Sequence, residues 1–115
     1  MAAEPQVPHP LPAPLAELIA ERFRILGEPM RIKLLDALRE GEATVQDLEE
    51  ATGASQQNVS KHLGVLLRAG IVARRKQGNF SIYSIADEAI FSLCEEVCGG
   101  LQRQLSELDA LLKGA

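Results

Sequence analysis

The stretch TVQDLEEATGASQQNVSKHLGVLLRAG, residues 44–70, carries two complete helix signals back to back. Thr44 stands before the first with Asp47 three residues on, the arrangement of a capping box, and Gly53 closes it. Ser55 caps the second, whose Val59, Leu63, Leu66 and Leu67 recur at helical spacing until Gly70 stops it. Two short helices joined by a tight glycine-containing turn predict a helix-turn-helix.

The flanking segments extend this unit. Leu15, Leu18, Ile19, Phe23 and Leu26 predict a helix that Gly27-Glu28-Pro29 ends. A second helix starts near Pro29 and runs to Gly41, with Met30, Ile32, Leu34, Leu35 and Leu38 predicting burial on more than one side. After Gly70 the period changes: IVARRKQGNFSIYSI reads as a β-hairpin with its turn at Gln77-Gly78-Asn79. A last helix is expected from about Ala86 toward Lys113, although Gly99 and Gly100 weaken its middle and predict a kink or a close helix–helix approach there. Its Ile90, Cys94, Val97, Leu101, Leu105, Leu108 and Leu112 form one apolar stripe, too long for so small a core, which calls for a partner.

The first 14 residues contain five prolines and read as a flexible arm without regular helix, leaving residues 15–115 as one domain. His9, between two of those prolines, is expected to be a solvent-exposed arm residue. With three Phe, one Tyr and no Trp, the core must be built from Leu, Ile, Val and Ala, which favours helices. The expected class is mainly α (α+β): a winged helix-turn-helix with a two-stranded wing and long terminal helices. No apolar run approaches the roughly 18 residues of a membrane span, and the N-terminus lacks the layout of a secretory signal, so a cytoplasmic protein without a membrane partner is expected.

A net charge of −4 hides an uneven distribution. From Ala54 to Ala86 there is no Asp or Glu, while Lys61, Arg68, Arg74, Arg75 and Lys76 supply five positive charges. Glu40 to Glu50 holds five acids and the chain from Asp87 onward six. Within the basic span, Ser55, Gln56, Gln57, Asn58, Ser60, Lys61 and His62 occupy the first turns of the second helix of the pair. Gln and Asn suit the edges of adenine, and Ser and Lys suit phosphates or bases. Arg74, Arg75, Lys76 and Asn79 sit on the hairpin, where cations follow the phosphate backbone. These residues are the candidate DNA-binding set, with double-stranded DNA as the partner. There is no nucleophile constellation, no Gly-rich phosphate loop and no acid pair in an identifiable cleft, so an enzyme is not expected and no cofactor is required.

Residues 22–85 resemble the ArsR/SmtB family of winged helix-turn-helix repressors, carried by LGEPMRIKLLDAL, by SQQNVSKHLGVLLRAGIV and by RRKQGNFSIYSI. The resemblance implies a homodimer built through the first and last helices, a palindromic operator, and release of that operator when an effector binds. Two reading helices would then sit about one turn of DNA, roughly 34 Å, apart. One ligand set of the family is a CxC in the helix before the reading helix; Thr44 and Gln46 stand there instead. Another is an Asp/His set on the last helix, of which Asp87 is present while Ala89, Gly100 and Arg103 replace the other three.

Cys94 and Cys98 remain, four residues apart on one helix face. Three readings fit them: small apolar packing residues, a thiol pair that reacts with oxidants or reactive sulfur, or ligands to a thiophilic metal or metalloid ion acting as effector.

Overall fold

The computed structural model describes residues 7–114, in two compact units that meet between Ile85 and Ala86 in the chain. The first holds α1 (Ala13–Leu26), α2 (Pro29–Leu38), β1 (Ala43–Thr44), α3 (Val45–Thr52), α4 (Gln56–Arg68), β2 (Val72–Gln77) and β3 (Phe80–Ile85); the second is a single helix, α5 (Ala89–Lys113). Residues 1–6 of the predicted arm lie outside the described residues. Helix α1 begins at Ala13, inside the stretch read as arm, with Pro14 in its first turn. A proline is tolerated there because the N–H it lacks would have no intrahelical acceptor.

Helices α2, α3 and α4 pack on one another and on the sheet. Leu34 and Leu35 of α2, Leu48 of α3, and Val59, Leu63 and Leu66 of α4 are almost wholly removed from water, with Ile71 and Val72 beneath them. Among the described residues the only aromatic ring in this core is that of Tyr83, while Phe23 and Phe80 stand more than half exposed. Close packing of branched aliphatics therefore supplies the cohesion. Burial on α2 is confined to Leu34, Leu35 and Leu38; Ile32 faces water, so the helix is buried on one side rather than several.

The capping box at Thr44 forms as its sequence predicts. Thr44 Oγ1 accepts from the Asp47 N–H at 3.1 Å, and Asp47 Oδ2 accepts from the Thr44 N–H at 3.0 Å. Gly53, at φ 75, closes α3 in the left-handed region that disfavours a side chain.

The sheet has three antiparallel strands in the order β1-β3-β2, one more than the two-stranded wing the sequence suggests. β1 pairs Ala43 with Tyr83 and Thr44 with Ile82. Two residues are too few to show an alternating pattern, so nothing in the sequence announces that strand. The hairpin pairs Gln77 with Phe80 across a two-residue turn, Gly78-Asn79. Gly78 has φ 61 and Asn79 is not in the positive-φ region, the φ pattern of a type II′ turn whose twist matches the strands.

Helix α5 runs uninterrupted through Gly99 and Gly100 for 25 residues, about 37 Å. A Cβ at either glycine would meet only the flexible Arg103 guanidinium, at 3.5 and 3.8 Å, so no close approach within the chain requires them. Val97, Leu101, Leu105, Leu108 and Leu112 are each more than half exposed.

Thr44→Ala removes one half of the capping box and is expected to lower unfolding free energy by about 1 kcal/mol, with Thr44→Ser losing less. Urea titration checks this: the midpoint should fall while the slope stays constant.

Candidate nucleic-acid interface

Helix α4 divides by its period. Val59, His62, Leu63 and Leu66 are buried on one side. Gln57, Lys61 and Arg68, spaced by four and then seven residues, share the opposite side with Gly64 between them. Gln57, Lys61 and Arg68 are exposed, as are Gln56 and Ser55 at the helix start, while Asn58 and Ser60 are half-buried at the flanks. Arg68 lies outside the DNA-binding set read from the sequence, although the steps of three and four residues from Lys61 through Gly64 to Arg68 mark it as sharing their side. Its Nη1 lies 3.4 Å from where a Gly64 Cβ would stand, so the guanidinium lies over the glycine.

The start of α4 is capped by Ser55, whose Oγ accepts from the Asn58 N–H at 3.2 Å. The remaining N–H groups of the first turn and the helix dipole make this end attractive to anions. Ser55, Gln57, Asn58 and Lys61 line a shallow open depression of about 380 Å³ there. A second depression, about 280 Å³, joins Gln56 of α4 to Asn79 and Phe80 at the hairpin tip and to Thr44, Val45, Gln46 and Glu49. The start of α4 and the hairpin tip thus lie along one margin of the molecule.

His62 does not belong to that margin. It is 7% exposed, on the core side of α4. Its Nδ1 accepts a hydrogen bond from Arg31 Nε at 3.1 Å, and Arg31 Nη1 donates to the carbonyl of Ile25 in the last turn of α1 at 3.0 Å. The helical period accounts for this: His62 is three residues from Val59 and four from Leu66, which puts it on their side rather than with Gln57 and Lys61. Burial, the charge of Arg31 and that of Lys61 hold the imidazole below its ordinary pKa, only partly opposed by Glu28.

On the wing, Arg74, Lys76 and Asn79 are exposed. Arg75 is exposed but already engaged. Its Nη2 lies 2.6 Å from Glu42 Oε1, its Nε 3.3 Å from Glu42 Oε2, and its Nη1 donates to Gln77 Oε1 at 2.8 Å. The Arg75 guanidinium in turn holds the Glu42 carboxyl below its usual range. A phosphate would have to replace Glu42 to engage Arg75, whereas Arg74 and Lys76 face no such competitor among the described residues.

Cys94 is half-buried and Cys98 exposed, both as free thiols. Among the described residues no three His, Cys, Asp or Glu side chains are grouped to hold a metal ion. Asp87, the one surviving member of the family's Asp/His set, accepts from the Ala89 N–H through Oδ1 at 3.1 Å and serves to start α5. Among the described residues no helix is long and apolar enough to cross a membrane.

Comparison with known proteins agrees with this geometry. Residues 28–74 match the model for bacterial regulatory proteins of the arsR family. The chain is 43% identical over 101 residues to the helix-turn-helix transcriptional regulator Rv0081 of Mycobacterium tuberculosis, covering 87% of this chain and 89% of that one. The crystal structure of Rv0081 superposes with a TM-score of 0.76 over 86% of this chain and 100% of its own. The homodimeric winged helix-turn-helix DNA-binding domain Mb0332 of Mycobacterium bovis, 29% identical, gives a TM-score of 0.72 over 83% of this chain and 88% of its own. A probable mercury resistance operon repressor of Streptomyces lividans is 36% identical over 83 residues, 72% of this chain and 66% of its own. With the helix-turn-helix, the basic hairpin and these relatives in agreement, the chain belongs to the ArsR family of bacterial regulatory proteins and is a winged helix-turn-helix transcriptional regulator, not an enzyme.

Proposed function

We propose that this regulator is a homodimeric repressor that reads operator DNA with the outward face and first turns of α4 and grips phosphates with the β2–β3 hairpin. The observation that carries the reading is the two-sidedness of α4. Val59, Leu63 and Leu66 lock one side into the core while Gln57, Lys61 and Arg68 stand in water on the other, next to a hairpin bearing Arg74 and Lys76. Gln56, Gln57, Asn58 and Ser60 are assigned to base edges, and Ser55, Lys61, Arg68, Arg74, Lys76 and Asn79 to phosphates or groove edges. Arg75 joins them only on leaving Glu42.

The exposed stripe of α5 and the exposed Leu18 and Phe23 of α1 support self-association, since isolated monomers rarely leave so much apolar surface on two helices. The homodimeric state of the Mycobacterium bovis relative points the same way.

For the effector, Cys94 and Cys98 support a two-thiol site. Cys98 is exposed in the single subunit, as are Val97 and Leu101 of the same helix. One subunit offers two thiols and, among the described residues, no grouped third ligand, which suits a soft ion content with two sulfurs, or a sulfur bridge between them. Larger coordination numbers would draw on the second subunit. The mercury resistance relative supports the soft-ion branch.

Three outcomes are expected. Gln57→Ala should change the ranking of duplexes by about 1–3 kcal/mol at the affected base pair, while Arg74→Ala should weaken all duplexes alike and lower the salt slope by about one. Glu42→Gln should tighten binding to every duplex a few-fold at low salt by releasing Arg75, an effect that vanishes as salt rises. Fluorescence anisotropy with a duplex selected from a random library reads both. In the same assay, mercuric ion, arsenite or polysulfide should release the DNA from the wild type and not from Cys94→Ser or Cys98→Ser proteins; equal release from all three would remove the thiols from the mechanism.

A further inference from the structure

His62 lies on the reading helix yet faces away from DNA, and it is bonded to an arginine that also holds the end of another helix. Arg31 leaves the first turn of α2, sends Nη1 to the Ile25 carbonyl of α1 and Nε to His62 Nδ1. One guanidinium thus ties α1, α2 and α4 together by directed bonds, where the rest of α4 is held by Val59, Leu63 and Leu66 through non-directional packing.

The geometry assigns to Arg31 and His62 a positioning role: they form a strut that sets the orientation of the DNA-reading helix, and the strut holds only while His62 is neutral. The bond requires an unprotonated Nδ1, because Arg31 has no acceptor to offer in return. Protonation places an N–H against an N–H and a positive ring against a guanidinium, and the strut opens. The charged groups around the ring are Arg31 of α2, Glu28 just before α2 and Lys61 of α4; two of the three oppose protonation, as does burial, so the neutral form prevails at neutral pH. The apolar side of α4 remains packed when the strut opens, so the helix loses its aim rather than its fold.

This inference rests on α4 being the reading helix, and the sign of the pH effect separates it from a direct role for His62 at DNA. A histidine touching phosphate would gain positive charge in acid and bind more tightly. The strut predicts the reverse: operator affinity falls as pH drops below the ordinary imidazole value of 6.5. His9 is the chain's only other histidine, so a His9→Gln background leaves a single imidazole to titrate.

The experiment selects a duplex from a random library with the wild-type protein, then measures its affinity and that of a scrambled duplex from about pH 7.5 to about pH 5.5. Circular dichroism monitors helix content throughout. Expected are a loss of operator-over-scrambled discrimination in acid and a flat profile for His62→Asn, whose Oδ1 accepts from Arg31 without titrating. A roughly tenfold loss already at neutral pH is expected for Arg31→Met. Should Arg31→Met lose helix content, His62→Asn carries the test alone. Tighter operator binding in acid, an unchanged pH profile for His62→Asn, or wild-type discrimination by a folded Arg31→Met protein each overturns the strut. A library that yields no preferred duplex overturns the reading-helix assignment, and the strut with it.

Discussion

The solvent-facing side of α4 depends on the burial of Val59, Leu63 and Leu66 where the helix packs on α2 and α3, beside the equally buried Leu34, Leu35 and Leu48. A helix of 13 residues is near the length at which isolated helices are marginal in water, so α4 owes its persistence to that contact. The contact also decides what the helix can do. Once three positions of a 3.6-residue period are committed to the core, the residues about 180° away are committed to solvent, and Gln57, Lys61, Gly64 and Arg68 are those residues. Aliphatic side chains do this with little help from aromatics, leaving Phe23 and Phe80 for the surface.

Charge is distributed on the same logic. The acid-free span from α4 through the hairpin concentrates positive charge on an acidic chain, and the nearby carboxylate of Glu42 is spent on Arg75. Pairs between exposed groups contribute little to stability, so the pairing matters more as competition for a phosphate than as a brace. His62 belongs to a different category: a buried polar group satisfied by a partner from another element, where loss of the bond leaves a donor and an acceptor stranded.

Features governed by local chemistry were legible in the chain itself. The Thr44–Asp47 box, the Ser55 cap, the left-handed Gly53 and the Gly78-Asn79 turn all depend on residues within four positions of one another. Features governed by distant partners were not. β1 exists because Tyr83 and Ile82 offer it an edge 40 residues on, and Ala43-Thr44 alone says nothing of that. Arg75 reads as a free cation until Glu42 is seen 33 residues away in sequence and 2.6 Å away in space. His62 sits among polar neighbours in sequence, but its spacing of three from Val59 and four from Leu66 places it inside. The run of prolines does not mark the end of the arm, because Pro14 falls in the first turn of α1, a position where proline starts helices.

The uncovered leucines of α5 tie this regulator to its own abundance. A subunit that completes its apolar surface only by meeting another exists as a functional dimer in proportion to the square of the free chain concentration, whenever that concentration lies below the dimer dissociation constant. Halving expression in that regime quarters the occupied pool, a steeper response than a monomeric DNA-binding protein can give. The same surface penalises excess unpaired chain, which is exposed to proteolysis and aggregation until it finds its match. Helix α5 therefore gives the cell a dosage threshold as well as an interface.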